Sequence, residues 1–199
     1  NRVSIVHTTE QILMNDHPIK AFTTKTRSSI VQGFKMLKAG EIDSFCSAGN
    51  TGAMLVGSAQ VITPVPGIIR PGIVARIPNL SGKPGVLIDV GLNPDARPDV
   101  LLQYGLLGKL YSSAMYNIEN PRIGLVNIGS EEEKGNLEAK AAFQLMKEAT
   151  DLNFIGNVEG NEFFYKPDVD VLVCDGFVGN IILKEAEGFY RILRKRKIQ

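Results

Sequence analysis

The sequence predicts an α/β fold: a mainly parallel sheet with helices on both faces and one antiparallel hairpin. Three observations carry this. Apolar runs of strand length alternate with stretches of helical periodicity. Glycine-rich loops follow several of the runs. One pair of runs is joined by a connection too short for a crossover helix.

The elements follow in order. Val3–His7 reads as a strand. Ser28–Ala39 reads as a helix, with Ile30, Phe34 and Leu37 on one face and Gly40 as its stop. Asp43–Ser47 reads as a strand and Asn50–Ile62 as a helix. Gly72–Ile77 and Val86–Val90 are strands joined by Ser81-Gly82-Lys83-Pro84-Gly85, which makes the hairpin. Pro98 opens a long helix to about Tyr116. Arg122–Ile128 is a strand, Gly135–Ala149 a helix, and Asn153–Gly156 and Val169–Cys174 are strands. A final helix runs from about Asn180 to Lys197. No repeat or linker interrupts the pattern, so residues 1–199 read as a single domain.

Composition excludes several functions. The 199 residues carry a net charge of +1, too small a field to draw nucleic acid. No apolar run approaches the ~20 residues of a membrane helix. Cys46 and Cys174 form no spaced cluster, so neither a zinc site nor a disulfide framework is expected, and a cytoplasmic setting fits. Both cysteines read as small core residues. The chain opens Asn1-Arg2-Val3-Ser4-Ile5, without Met or a signal peptide, and reads as part of a longer protein.

Ligands of such sheets sit outside the carboxyl ends of the strands, so the strand-end loops are the candidates. Cys46-Ser47-Ala48-Gly49-Asn50-Thr51-Gly52 leads into a helix. It fits an anion cradle of small residues and free N–H groups, or a tight turn capped by Asn or Thr. Asp89-Val90-Gly91-Leu92-Asn93-Pro94-Asp95 ends a wholly apolar run, and Asp89 and Asn93 can orient a substrate or simply make a turn. In Asn127-Ile128-Gly129-Ser130-Glu131-Glu132-Glu133-Lys134-Gly135-Asn136, Lys134 is a phosphate clamp or part of a solvated charge run. Gly156-Asn157-Val158-Glu159-Gly160 is a fourth loop. Cys174-Asp175-Gly176-Phe177-Val178-Gly179-Asn180 is a fifth, similar in design to the first. None is a Walker A or GxGxxG loop, and Gly105-Leu106-Leu107-Gly108-Lys109 lies inside a helical pattern.

Taken as an ordered set, the loops resemble one family. They are Ser28-Ser29 and Ser47-Ala48-Gly49-Asn50-Thr51-Gly52-Ala53, Arg70-Pro71 and Asp89-Val90-Gly91, and Asn127-Ile128-Gly129 with Glu131 and Lys134-Gly135-Asn136. Asn153-Phe154-Ile155-Gly156-Asn157-Val158-Glu159 and Asp175-Gly176-Phe177-Val178-Gly179-Asn180 before Leu183-Lys184 complete it. The set is similar to the bacterial phosphate acyltransferases of phospholipid synthesis, with Leu92 where they usually have Ala.

The resemblance implies a fold of the isocitrate and isopropylmalate dehydrogenase type, shared with phosphotransacetylases. It implies transfer of a long acyl chain from acyl carrier protein to inorganic phosphate, with no cofactor and no metal. It implies a homodimer in peripheral contact with an anionic membrane. It further implies that Lys134 and Asn180 are catalytic. Ser47, Asn50, Thr51, Asp89, Asn93, Glu131, Asn136, Asn157 and Asp175 are then substrate-binding or orienting. The family's N-terminal strand, with its Met-Gly-Gly-Asp loop, and its C-terminal membrane-docking hairpin are expected to lie outside this stretch. The alternatives are a phosphotransacetylase acting on acyl-coenzyme A and, of a different class, a catalytically inactive fragment that binds phosphate or acyl phosphate.

Overall fold

A computed structural model describes residues 3–80, 82–162, 164–165 and 168–197. By internal packing the chain divides into two compact units, residues 1–67 and 68–199.

The first unit is helical. α1 spans Pro18–Thr24, α2 Ser29–Ala39 and α3 Thr51–Gly57, which runs on into a π-helical turn over Ser58–Ile62. Ser28 caps α2 as the spacing predicts, and Gly40 ends it in the left-handed conformation. Ile12, Phe22, Ile30, Val31, Phe34 and Ala53 form its core. Three rings stack edge to face, with Phe22–Phe34 at 6.1 Å and Phe34–Phe45 at 5.3 Å.

Two expected strands are absent from this unit. Asp43–Ser47 is irregular because the Phe45 ring is drawn onto α2, where it packs directly on Gly33. Val3–His7 has no strand partner among the described residues, and its apolar side chains lie open, Ile5 at 92% exposure. A period-2 pattern alone does not make a strand without a neighbour to pair with.

The second unit is the α/β body. β1 (Val74–Ile77), β2 (Gly85–Ile88), β3 (Arg122–Asn127), β4 (Asn153–Glu159) and β5 (Val171–Val173) form one sheet in the order β1-β2-β5-β3-β4. β1 and β2 are the antiparallel hairpin, and every other pairing is parallel. Ser81, in the hairpin connection, lies outside the described residues.

Side chains alternate through the sheet. Val86, Ile88, Val171 and Val173 face a core with Val100, Tyr104 and Met146 from α4 (Pro98–Tyr116) and α5 (Leu137–Glu148). Leu87 and Leu172 face the other way, with partly buried Val178 and Ile182 of α6 (Gly176–Lys195) packed against them. α4 has its expected bounds, and α6 begins one turn before Asn180. β4 extends to Glu159, three residues beyond its expected end.

Candidate active site

In the second unit the four parallel strands deliver their carboxyl ends to one edge. The segments after β2, β3, β4 and β5 therefore gather there. Between the β3 and β5 ends lies a cleft of about 500 Å³. Asn127, Asn136, Glu138, Asp175 and Val178 are among its lining residues. Both helices that start at this cleft are capped from within. Asn136 Oδ1 accepts from the Ala139 N–H at 2.8 Å, and Asp175 Oδ1 from the Val178 N–H at 2.8 Å. In the first turn of α6 the Gly176 N–H donates to the Asn93 carbonyl at 2.7 Å, so what the two helix starts bring to this edge is mainly the positive end of each dipole.

The loop of residues 128–136 is held from three sides. Asn127 Nδ2 donates to the Lys134 carbonyl at 3.1 Å and to Asn157 Oδ1 at 3.0 Å. Asn157 Nδ2 donates to the Glu131 carbonyl at 2.8 Å. Glu132 accepts from Gln144 and Lys147 of α5, and the Lys147 ammonium beside it holds its carboxyl below the usual range. Gly135 takes φ 93°, and any β-carbon there would meet the Asn127 amide. Two tethers on backbone carbonyls and one on the Glu132 side chain thus leave the Lys134 and Glu131 side chains exposed, 4.0 Å apart.

The loop after β2 is built around a buried carboxylate. Asp89 is fully buried and accepts from the Ile73, Leu92 and Asn93 N–H groups and from Asn93 Nδ2. Asn93 Nδ2 also donates to the Pro71 carbonyl and the Tyr104 hydroxyl. Burial and the Asp89 charge push the Tyr104 phenol well above its ordinary range, which keeps it neutral. α6 rests directly on this loop. A β-carbon at Gly176 would come within 2.8 Å of the Asn93 nitrogen, and one at Gly179 would collide with the Asp89 carbonyl oxygen. Asn180 therefore stands at the start of the second turn of α6, beside Gly91.

In the first unit, Asn50 caps α3 with φ 45°. Its Oδ1 accepts from the Ala53 N–H, and its Nδ2 donates to the Leu13 and Asp16 carbonyls. Ser47 and Thr51 beside it are exposed, and the Gly49 N–H donates to Ser47 Oγ at 3.3 Å.

The predicted residues thus separate by what their polar atoms do. Asn136 and Asp175 line the cleft; Lys134 and Glu131 stand on its bordering loop; Asn180 lies at the head of α6. Asn50, Asp89, Asn93 and Asn157 are buried, and each is hydrogen-bonded to loop backbone. Two residues were given no role by the sequence reading. Asn127 stands in the third candidate loop and in the motif set, but its bridging role was not foreseen. Tyr104 had no signal, because it lies mid-helix on an apolar face. Cys174 is buried as expected, and burial pushes its thiol far above the usual range. Cys46 is exposed, contrary to expectation, because its segment pairs with no strand.

Solved structures similar to this chain include two phosphotransacetylases. The EutD phosphotransacetylase from Staphylococcus aureus matches 79% of this chain and 54% of its own, at 18% identity and TM-score 0.56. A phosphotransacetylase from Streptococcus pyogenes matches 80% of this chain and 54% of its own, at 18% identity and TM-score 0.61. At that identity they bear on the fold alone. Curated relatives are closer in sequence. The phosphate acyltransferase of Thermoanaerobacterium thermosaccharolyticum is 49% identical over 186 residues, 94% of this chain and 55% of that protein. That of Desulfitobacterium hafniense is 47% identical over 187 residues, again 94% and 55%. The chain thus spans about half the length of the curated relatives it matches. A family model described as "Fatty acid synthesis protein" matches residues 1–196. With that match running almost end to end over the loops and cleft described above, the chain belongs to the fatty acid synthesis protein family.

Proposed function

We propose that this chain forms part of a phosphate acyltransferase, which converts acyl-acyl carrier protein and inorganic phosphate to acyl phosphate and free carrier protein. The observation that carries this reading is the cleft at the ends of β3 and β5, where two helices begin beside the Lys134 loop. The names of the curated relatives support it.

A phosphate oxygen attacks the thioester carbonyl carbon, and the carbonyl electrons move onto oxygen. Collapse of the tetrahedral species restores the C=O bond and breaks the C–S bond. The thiolate leaves and takes up a proton, at an ordinary thiol pKa of ~8.5. The protein's task is to hold phosphate against the carbonyl and to stabilise the oxyanion. The start of α5, with its positive dipole end and first-turn N–H groups, supplies donors. Asp175 and Glu138 bring negative charge to the cleft lining. An anion there needs a compensating cation, and Lys134 is assigned that role. Asn180 donates to the oxyanion or phosphate, with Glu131 and Asn136 as further contacts. Ser47 and Thr51 bind phosphate or product in the first unit. Asp89, Asn93, Asn157 and Asn50 orient their loops, and Asp175 orients the head of α6.

The partners follow from the same reading: acyl carrier protein, a second copy of the chain, and an anionic membrane surface. Among the described residues no helix is long and apolar enough to cross a membrane. The end of α6 and the residues after it carry Arg191, Arg194, Lys195, Arg196 and Lys197. Such a cluster attracts anionic lipid or an acidic carrier.

The deciding assay uses the full-length protein with palmitoyl-acyl carrier protein and follows carrier thiol. Release that requires phosphate is expected. Release without phosphate, or none from the carrier while acyl-coenzyme A is consumed, defeats the proposal.

A further inference from the structure

The cleft at the ends of β3 and β5 continues along α6. Gly160 and Ile182 line it and also line a second groove, of about 240 Å³, bounded by Phe164, Glu185, Ala186 and Phe189. Val178, Ile182, Ala186 and Phe189 follow one another at spacings of four, four and three, so they form one stripe along the helix. At the helical rise of 1.5 Å per residue the stripe runs roughly 16 Å. Its start is polar, at the Asp175 cap and Asn136. Beyond Ile182 only Glu185, an exposed residue, adds a polar group among the groove's lining residues. A reactant that fills both spaces is polar at its head and apolar along its length.

We propose that this groove holds the hydrocarbon tail of the acyl group, with the thioester carbonyl at the cleft. This rests on the acyl-transfer reading above. Adjacency to the cleft selects this occupant: Ile182 and Gly160 line both spaces, so the groove begins where the cleft ends along α6. The size agrees, since a groove of about 240 Å³ takes a slender flexible chain rather than a folded partner. Ala186 sits midway and sets the depth, because a larger side chain there fills the groove from its floor. Phe189 closes the far end.

The test is a chain-length series of acyl thioesters on the full-length protein, the parent against Ala186→Phe and, as a second plug, Ala186→Leu. Binding of a fluorescent long-chain fatty acid is measured beside it, independently of turnover. In the parent, KM should fall with length by about fourfold per methylene, the equivalent of roughly 0.8 kcal/mol. The Phe variant should lose at least tenfold of the preference for long over short chains and should lose the fluorescent ligand. KM for phosphate and for the shortest thioester should stay unchanged. Identical length profiles in parent and both variants overturn the groove assignment. So does an unchanged profile with a change in oligomeric mass, which gives the groove to a second copy. A parent that binds the fatty acid, loses it in Ala186→Phe, and turns over no thioester keeps the groove and sinks the acyl-transfer reading instead.

Discussion

Asn127 at the end of β3 donates a hydrogen bond to the side-chain oxygen of Asn157 on the neighbouring strand β4, at 3.0 Å. Each of the two then uses its amide to hold a carbonyl of the same loop, that of Lys134 and that of Glu131. The pair couples the sheet to the loop proposed to carry the catalytic lysine.

Asn157→Ala should therefore act at a distance. It removes the donor to the Glu131 carbonyl and leaves Asn127 short of an acceptor, at a cost of about 1–3 kcal/mol. Hydrogen exchange of the 128–136 amides should accelerate, and kcat should fall more than KM for phosphate. Unchanged exchange in that loop would refute the coupling.

Lys134→Ala tests the lysine itself. Its side chain is about half exposed and its nearest anion, Glu131, is 4.0 Å away, so folding depends little on it. Turnover should drop about 100-fold, the scale of losing one oxyanion donor, at an unchanged melting temperature. A near-parental rate would make the residue a solvated charge.

The first loop separates cap from ligand. Asn50→Ala loses a cap and two further donations to loop carbonyls, so it should destabilise by about 1–2 kcal/mol. Thr51→Ala, at an exposed position, should leave melting alone and raise the KM for phosphate. If both variants alter only melting, the loop binds nothing in the reaction.

Gly179→Ala is expected to disrupt the second unit. The added methyl would meet the Asp89 carbonyl at the base of α6, and overpacking against backbone costs about 1–3 kcal/mol or more. A variant with parental melting and turnover would show that α6 does not rest on that loop.

The two thiols should differ in reactivity. Cys174 is buried and its thiol is pushed up, whereas Cys46 is exposed. Near pH 8 an exposed-thiol reagent should modify Cys46 quickly and Cys174 only after unfolding. The sign for stability follows. The unfolded Cys174 thiol ionises in the ordinary range near 8.5 while the folded one keeps its proton, so stability falls as pH rises through that range. A Cys174→Ser variant with the same alkaline melting profile would count against this.

Much of the second unit is legible in the sequence. Pro98 marks the start of α4, and the apolar run of β2 reads as a strand. The left-handed Asn117 that ends α4 is a structural finding. Glycines misled at α6, where Gly176 and Gly179 read as loop. They are in fact the helix's contact with the Asp89 loop. α1 was missed because seven residues show too little periodicity, although Pro18 marks its start. Within the candidate site the loops were legible, but the partners of Asn50, Asp89, Asn93 and Asn157 were not. Those partners, such as Leu13, Ile73, Pro71 and Glu131, are far away in sequence, and no local pattern encodes them.

The sheet order has a consequence for how the protein is made. β5, the last of these five strands in chain order, occupies the centre, and it is the parallel neighbour of both β2 and β3. Until residues 171–173 leave the ribosome, the β1–β2 hairpin and the β3–β4 pair are separate halves, each with an open, apolar inner edge. A nascent chain stopped short of Val171 is exposed to edge-to-edge association with other chains. This strand acts as a keystone, and the sheet becomes one piece only when almost all of this stretch has emerged.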